Sequence, residues 1–201
     1  MSDRFAFKDG RAYVHLSDIL PHVVDRFAST RPSRIVIDLH QPTVCQVQWV
    51  RRGPGESLAQ DTATLTAKVY QGDVCQTWDA RPVPADRVVD RVMSQRCVVE
   101  ERYFDQGFDM VSMATDRSTF VLDLISCMKA HWRQFYQQAG APLTRRAEVM
   151  CPLVLPTGHT VQGRLRKRRT RVQSWHFSAP SAPGFDLAIV GMLLDAGLNH
   201  E

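Results

Sequence analysis

The chain reads as an α+β fold: an antiparallel or mixed sheet, two main helices packed on one of its faces, and a basic β-hairpin or loop at an edge. Three features point there. Ala63, Leu65, Ala67 and Val69 alternate with Thr62, Thr64, Thr66 and Lys68, the pattern of a strand with one buried and one solvated face. Val121, Leu124, Ile125, Met128, Trp132, Phe135 and Tyr136 recur at helical spacing across 116–140. Arg164 to Arg171 then packs six cations into eight residues, directly ahead of Trp175, His176 and Phe177.

Taken in order, residues 5–8 and 11–14 flank Asp9-Gly10, a dipeptide that favours a hairpin turn. Ser17 offers an N-cap for a short helix through Phe27, whose apolar face is Ile19, Leu20, Val23, Val24 and Phe27. Pro21 sits near its start, where a missing N–H costs least. Residues 35–37 and 43–50 read as strands, and 74–79 as the partner of the alternating strand across Gln71-Gly72-Asp73. After Pro82 and Pro84, Val88, Val89, Val92, Val99 and Tyr103 fall on one side of a helix over 85–103. Residues 110–114 form another strand.

The second main helix starts at Asp116 or Ser118 and ends at Gly140, with Pro142 beyond. Strands follow at 147–155, 159–165 and 171–177. These elements make 1–177 a single domain. Residues 178–184 are rich in Ser, Ala and Pro and form a short linker. The nearly all-apolar run in 185–201 is expected to be helical and to dock back on the domain, with docking into a second copy as its other use.

Composition narrows the setting. At 44% hydrophobic and 23% charged, the 201 residues suit a folded globular protein. No apolar run approaches the roughly 20 residues of a membrane span, and the first ten residues hold no signal core, so a cytoplasmic protein without membrane partners is expected. Cys45, Cys75, Cys97, Cys127 and Cys151 are scattered and form no C-x-x-C pair, which predicts reduced core thiols and no metal site. The net charge of +4 is uneven: from Cys127 onward ten Lys/Arg face four Asp/Glu, against fifteen and seventeen before it.

That polarity points to an anionic partner. Guanidinium groups fork onto phosphate oxygens and aromatic rings stack on bases, so nucleic acid, RNA or DNA, is the expected ligand. Arg164, Arg166, Lys167, Arg168, Arg169 and Arg171 are the expected phosphate contacts, with Trp175 and His176 stacking. The reading is a non-enzymatic binding protein of bacterial or mobile-element origin, with no catalytic residues and no cofactor.

Two other readings fit the same residues. One is an adaptor or inhibitor that binds an acidic protein or self-associates through its C-terminal apolar segment. The other is a metal-independent ribonuclease in which His159 or His176 abstracts a proton and Lys167 protonates the leaving oxygen. Sequence signatures of P-loop, Rossmann and nucleophile-elbow enzymes are absent. Cys127 and His131 are one helical turn apart, a spacing that favours packing over a nucleophile–base pair, and Asp105 with Asp109 reads as a solvated loop.

Overall fold

Proline at position 21 shapes how the two helices meet. In the computed structural model, which describes residues 5–8, 13–53, 56, 63–93, 95–136, 142–169 and 172–193, helix α1 spans Leu16–Phe27 and α2 spans Arg117–Tyr136. His15, not Ser17, caps α1: its Nδ1 accepts from the Ser17 backbone N–H at 3.4 Å. Pro21 has no N–H to offer the Ser17 carbonyl four residues back. Ser118 Oγ donates to that carbonyl instead, at 2.7 Å, joining α2 to α1. Asp116 starts α2, with its carboxylate accepting from the Thr119 N–H at 2.9 Å.

The strands are β1 (Phe7–Lys8), β2 (Arg34–Leu39), β3 (Cys45–Arg51), β4 (Leu65–Gln71), β5 (Val74–Arg87), β6 (Arg91–Val92), β7 (Val98–Phe104), β8 (Gly107–Ser112), β9 (Pro142–Met150), β10 (Thr160–Arg169), β11 (Val172–Ser178) and β12 (Asp186–Leu193). Ten of them form one antiparallel sheet in the order β3-β5-β4-β2-β9-β12-β11-β10-β8-β7, while β1 and β6 make a small parallel pair. The first strand after each helix lies at the centre, where β2 pairs with β9, while β7 and β8, which precede α2, complete the second half at its outer end. The halves are threaded differently. Outward from the centre, the strands after α1 run first, third, fourth, second, and those after α2 run first, fourth, third, second.

Both helices and one side of both half-sheets share a single core. Leu20, Val23 and Phe27 of α1 and Phe120, Leu124 and Met128 of α2 meet Ile35, Ile37, Leu65 and Ala67 from one half and Phe108, Val149, Trp175 and Ile189 from the other. Leu65, Ala67 and Val69 of β4 are buried as the alternation predicts, but Thr64 and Thr66 on the other face are buried as well, so that face is not the solvated one expected. Gly72 at φ +57° turns the chain into β5. No helix among the described residues is long and apolar enough to cross a membrane.

The expected architecture needs three corrections. First, 85–103 is not a helix: it carries the end of β5, the short β6 and most of β7. Its five valines are stiff at χ1 and favour extended backbone, which outweighs their helix-like spacing. Second, the C-terminal apolar run is the strand β12, held between β11 and β9, with Leu187 and Ile189 fully buried. A short apolar run fits either element by periodicity, and the two flanking strands supply its hydrogen bonds. As an inner strand it has no free edge to offer a second copy. Third, the basic hairpin β10–β11 lies inside the sheet, between β8 and β12, and not at an edge. The molecule is therefore one large sheet around a helix pair, in place of a smaller sheet with helices laid on it. The expected Asp9-Gly10 turn lies outside the described residues.

Candidate active site

The basic segment does not assemble into a binding platform. Trp175 is fully buried, 5.6 Å from Phe108 and 5.0 Å from His131 between ring centres, and its indole N–H donates to Gln173 Oε1. A ring in that position cannot stack on a base. Arg164 pairs with Asp109 at 2.7 Å and lies over the Phe104 ring. His176 Nε2 sits 3.2 Å from Asp186, and Arg166 reaches His176 Nδ1. A register shift between Leu165 and Lys167 changes the phase of β10, and Arg168 lies over Tyr136 of α2. Lys167 and Arg169 are exposed, and Arg171 lies outside the described residues. Of the described cations in the segment, Arg164 is neutralised by an acid and Arg164 and Arg168 lie over rings, while Arg166, Lys167, Arg168 and Arg169 remain exposed.

The ribonuclease pairing, with Lys167 as the acid for either histidine, fails. His159, just ahead of β10, lies eight residues from Lys167, or about 26 Å at 3.3 Å per residue, and His176 has both ring nitrogens engaged, by Asp186 and Arg166. Asp105 and Asp109 do not join: Asp109 holds Arg164, and Asp105 accepts from the Gln106 amide. Among the described residues no group of three or more His, Cys, Asp and Glu is placed to hold a metal ion.

Buried polar chemistry gathers instead between α2, β7 and β8. The segment Val121-Leu122-Asp123-Leu124-Ile125 places one acid among apolar neighbours, and α2 is enclosed on nearly every side at this level. Asp123 is fully buried. Its Oδ2 accepts from Ser112 Oγ at 2.6 Å, and its Oδ1 from the Cys97 backbone N–H at 3.2 Å. Ser112 is held in turn by the Ala114 N–H, at 3.1 Å. Burial pushes the Asp123 carboxyl above the ordinary aspartate value, and the two hydrogen bonds only partly offset it.

One turn along α2, Cys127 lies 3.3 Å from Arg96 Nη2 and 3.6 Å from Glu101 Oε2. Arg96 is ion-paired with Glu101, which also accepts from Tyr103 Oη at 2.9 Å. Burial raises the Cys127 thiol to about 11, so it is protonated at neutral pH and is not a thiolate nucleophile. Burial works against the Glu101 charge too, but bonds from Arg96 and Tyr103 hold its carboxyl below the ordinary value. His131, a further turn along, donates from Nε2 to the Phe104 carbonyl at 2.8 Å and does not engage Cys127. Burial lowers its pKa and keeps the ring neutral.

What this arrangement offers is carboxyl acid–base chemistry: a buried Asp123 with raised proton affinity, a hydroxyl and a backbone N–H on its oxygens, and a water-poor setting. The only sequence signal was a single acid inside an apolar stripe. Ser112 and Cys97 come from other elements, and nothing in their local sequence ties them to Asp123.

No protein-family model matches the chain, and no curated protein matches it in sequence. Solved structures do. A TesB protein of Mycobacterium avium subsp. paratuberculosis is 11% identical over 91% of this chain and 88% of that one, with a TM-score of 0.48. A thioesterase II described as putative, from Thermobifida fusca, is 9% identical over 93% and 89%, with a TM-score of 0.47. A protein of unknown function with a hot dog fold, from Alicyclobacillus acidocaldarius, is 9% identical over 95% and 94%, with a TM-score of 0.46. With Trp175 in the core and Arg164 and His176 paired to acids, the expectation of a nucleic-acid-binding protein is withdrawn.

Proposed function

We propose that the protein is an enzyme acting on acyl thioesters, with Asp123 as its acid–base group. The observation that carries the reading is the Asp123 carboxyl on the core side of α2, bonded to Ser112 Oγ at 2.6 Å and to the Cys97 N–H. In hydrolysis, the carboxylate takes a proton from water as the water oxygen bonds to the thioester carbonyl carbon. The C–S bond then breaks, and the departing sulfur receives that proton from Asp123. Burial suits this role, because raised proton affinity makes a carboxylate a stronger base near neutral pH. Ser112 orients the carboxylate, and the Arg96–Cys97 stretch, tied to Cys127 and Asp123, is the cover a substrate has to pass. We place the protein in the cytoplasm, where its five free cysteines stay reduced.

The test is thiol release from acyl-coenzyme A thioesters of increasing chain length. Turnover is expected for at least one length, and Asp123→Asn is expected to lower it by about 10²–10⁴-fold with the far-UV circular dichroism unchanged. Turnover that survives Asp123→Asn removes the carboxylate from the mechanism. Silence across the whole series removes thioester hydrolysis.

A further inference from the structure

The two ends of the ten-stranded sheet differ. Beside β3, Phe5 exchanges two hydrogen bonds with the Gln46 side chain, and the Thr43 and Val44 carbonyls just ahead of the strand accept from Val14 and Val88. At the other end β7 pairs, among the described residues, with β8 alone. The hairpin is closed by the Phe104–Gly107 pair across Asp105-Gln106, so Arg102 and Phe104 direct their backbone groups toward β8. Glu101 and Tyr103 therefore direct theirs to the free edge. Seven residues of open strand, with Val99 61% exposed, form a template for another strand.

The side chains of β7 say which strand fits. Glu101 and Tyr103 lie on the α2 side, beside Cys127. Glu100 and Arg102 lie on the opposite face, both exposed and neither ion-paired with a described residue. That face carries an open groove of about 580 Å³ lined by Val99, Glu100, Arg102, Asp109 and Val111. An antiparallel pair of identical strands related by a two-fold axis matches residues whose numbers have a constant even sum. Centring the axis at Glu101 sets Glu100 against Arg102 of the second copy and Arg102 against its Glu100. Centring it at 100 or 102 sets unpaired like charges face to face; centring it at 101 also sets Glu101 opposite its own copy, but each Glu101 is already ion-paired with Arg96 of its own chain.

We infer that β7 is a homodimer interface, in which two copies join edge to edge about Glu101 and extend the sheet to twenty strands. The pairing is isologous, satisfies the open backbone groups of Glu101 and Tyr103, and joins four charges, Glu100 and Arg102 of each copy, in two cross-strand pairs.

Sedimentation equilibrium over a concentration series tests this. The wild type is expected at twice its 22.8 kDa chain mass. Glu100→Arg and Arg102→Glu, each placing like charges opposite one another, are expected at the single-chain mass, and the double variant carrying both is expected to dimerise again. Because both side chains are exposed, the fold is not at stake. Amide exchange in the wild type gives a second readout, with Glu101 and Tyr103 slow at high concentration and fast on dilution. A monomeric wild type overturns the inference, as does a dimer indifferent to either single swap. Failure of the double variant to recover overturns the Glu101-centred register.

Discussion

Ser118 Oγ donates to the Ser17 carbonyl at 2.7 Å, the one carbonyl of α1 that Pro21 leaves without its helical partner. A helix-interior proline is costly because it orphans an acceptor, and here the second helix supplies the missing donor. Ser118→Ala is therefore expected to destabilise the fold by about 1–2 kcal/mol, the cost of an unsatisfied buried acceptor. Pro21→Ala restores an N–H to Ser17, so Ser118→Ala should cost much less in that background. Urea unfolding of the four proteins of this double-mutant cycle measures the coupling. Equal costs of Ser118→Ala in both backgrounds refute the compensation.

Ser112→Ala removes the hydroxyl that donates to Asp123 and accepts from the Ala114 N–H. A hydrogen bond to the carboxylate favours its charged form, so losing it raises the already elevated Asp123 affinity for protons further. If Asp123 acts as base, the acid limb of the kcat/KM profile moves to higher pH, while activity on the alkaline side changes less. Stability falls as well, by about 1–3 kcal/mol for the polar groups left unpaired. An acid limb that stays in place while stability drops identifies Ser112 as structural only.

The parts of this fold readable in the sequence are those fixed locally. Apolar spacing marks α1 and α2, Asp116 marks the start of α2, and the Gln71-Gly72-Asp73 turn marks the β4–β5 hairpin. What failed depended on partners remote in sequence. The valines of 85–103 fit a helix by spacing, until β8 and β3 provide extended neighbours for β7 and β5. The apolar run of β12 fits a helix equally well without β9 and β11 on either side. Arg164 looked unpaired because its acid, Asp109, lies 55 residues away in the sequence. Asp123 escaped the sequence reading altogether: it is one acid within an apolar stripe, and its meaning comes from two hydrogen bonds to Ser112 and Cys97.

His131 predicts a pH dependence of stability. Its ring is buried among Phe135, Tyr136 and Trp175, Nε2 is engaged by the Phe104 and Asp105 carbonyls, and burial lowers its pKa below the ordinary 6.5. The unfolded chain therefore takes up a proton at a pH where the folded one does not. This contribution is complete above about 6.5 and is lost as pH falls from there through the folded-state value. Urea midpoints taken between pH 7.5 and 5 should fall with pH, more steeply in the wild type than in His131→Gln. The difference in slope is at most about 1.4 kcal/mol per pH unit for one proton. Parallel slopes mean that other groups carry the acid sensitivity.

Gly107 and Gly72 separate two reasons for a glycine. Gly72 turns the chain at φ +57° with open space around it: an added Cβ would meet nothing within 4 Å. Gly72→Ala pays only for the left-handed backbone, about 1–2 kcal/mol. Gly107 has φ +152°, and a Cβ there would fall 2.0 Å from the Gly163 carbonyl oxygen of β10, a backbone atom with no rotamer to escape into. Its pairing opposite Arg164 holds β8 against β10, and through them the Ser112 end of the Asp123 site. Gly107→Ala has to separate these strands, at a cost of about 3 kcal/mol or more from strain and overpacking together. At roughly 2–4 °C per kcal/mol for a chain of this size, the melting temperature should drop by about 6–12 °C, against about 2–8 °C for Gly72→Ala. Side-by-side thermal melts decide it. A Gly107→Ala protein as stable as Gly72→Ala would mean that β8 and β10 are not in backbone contact at this point.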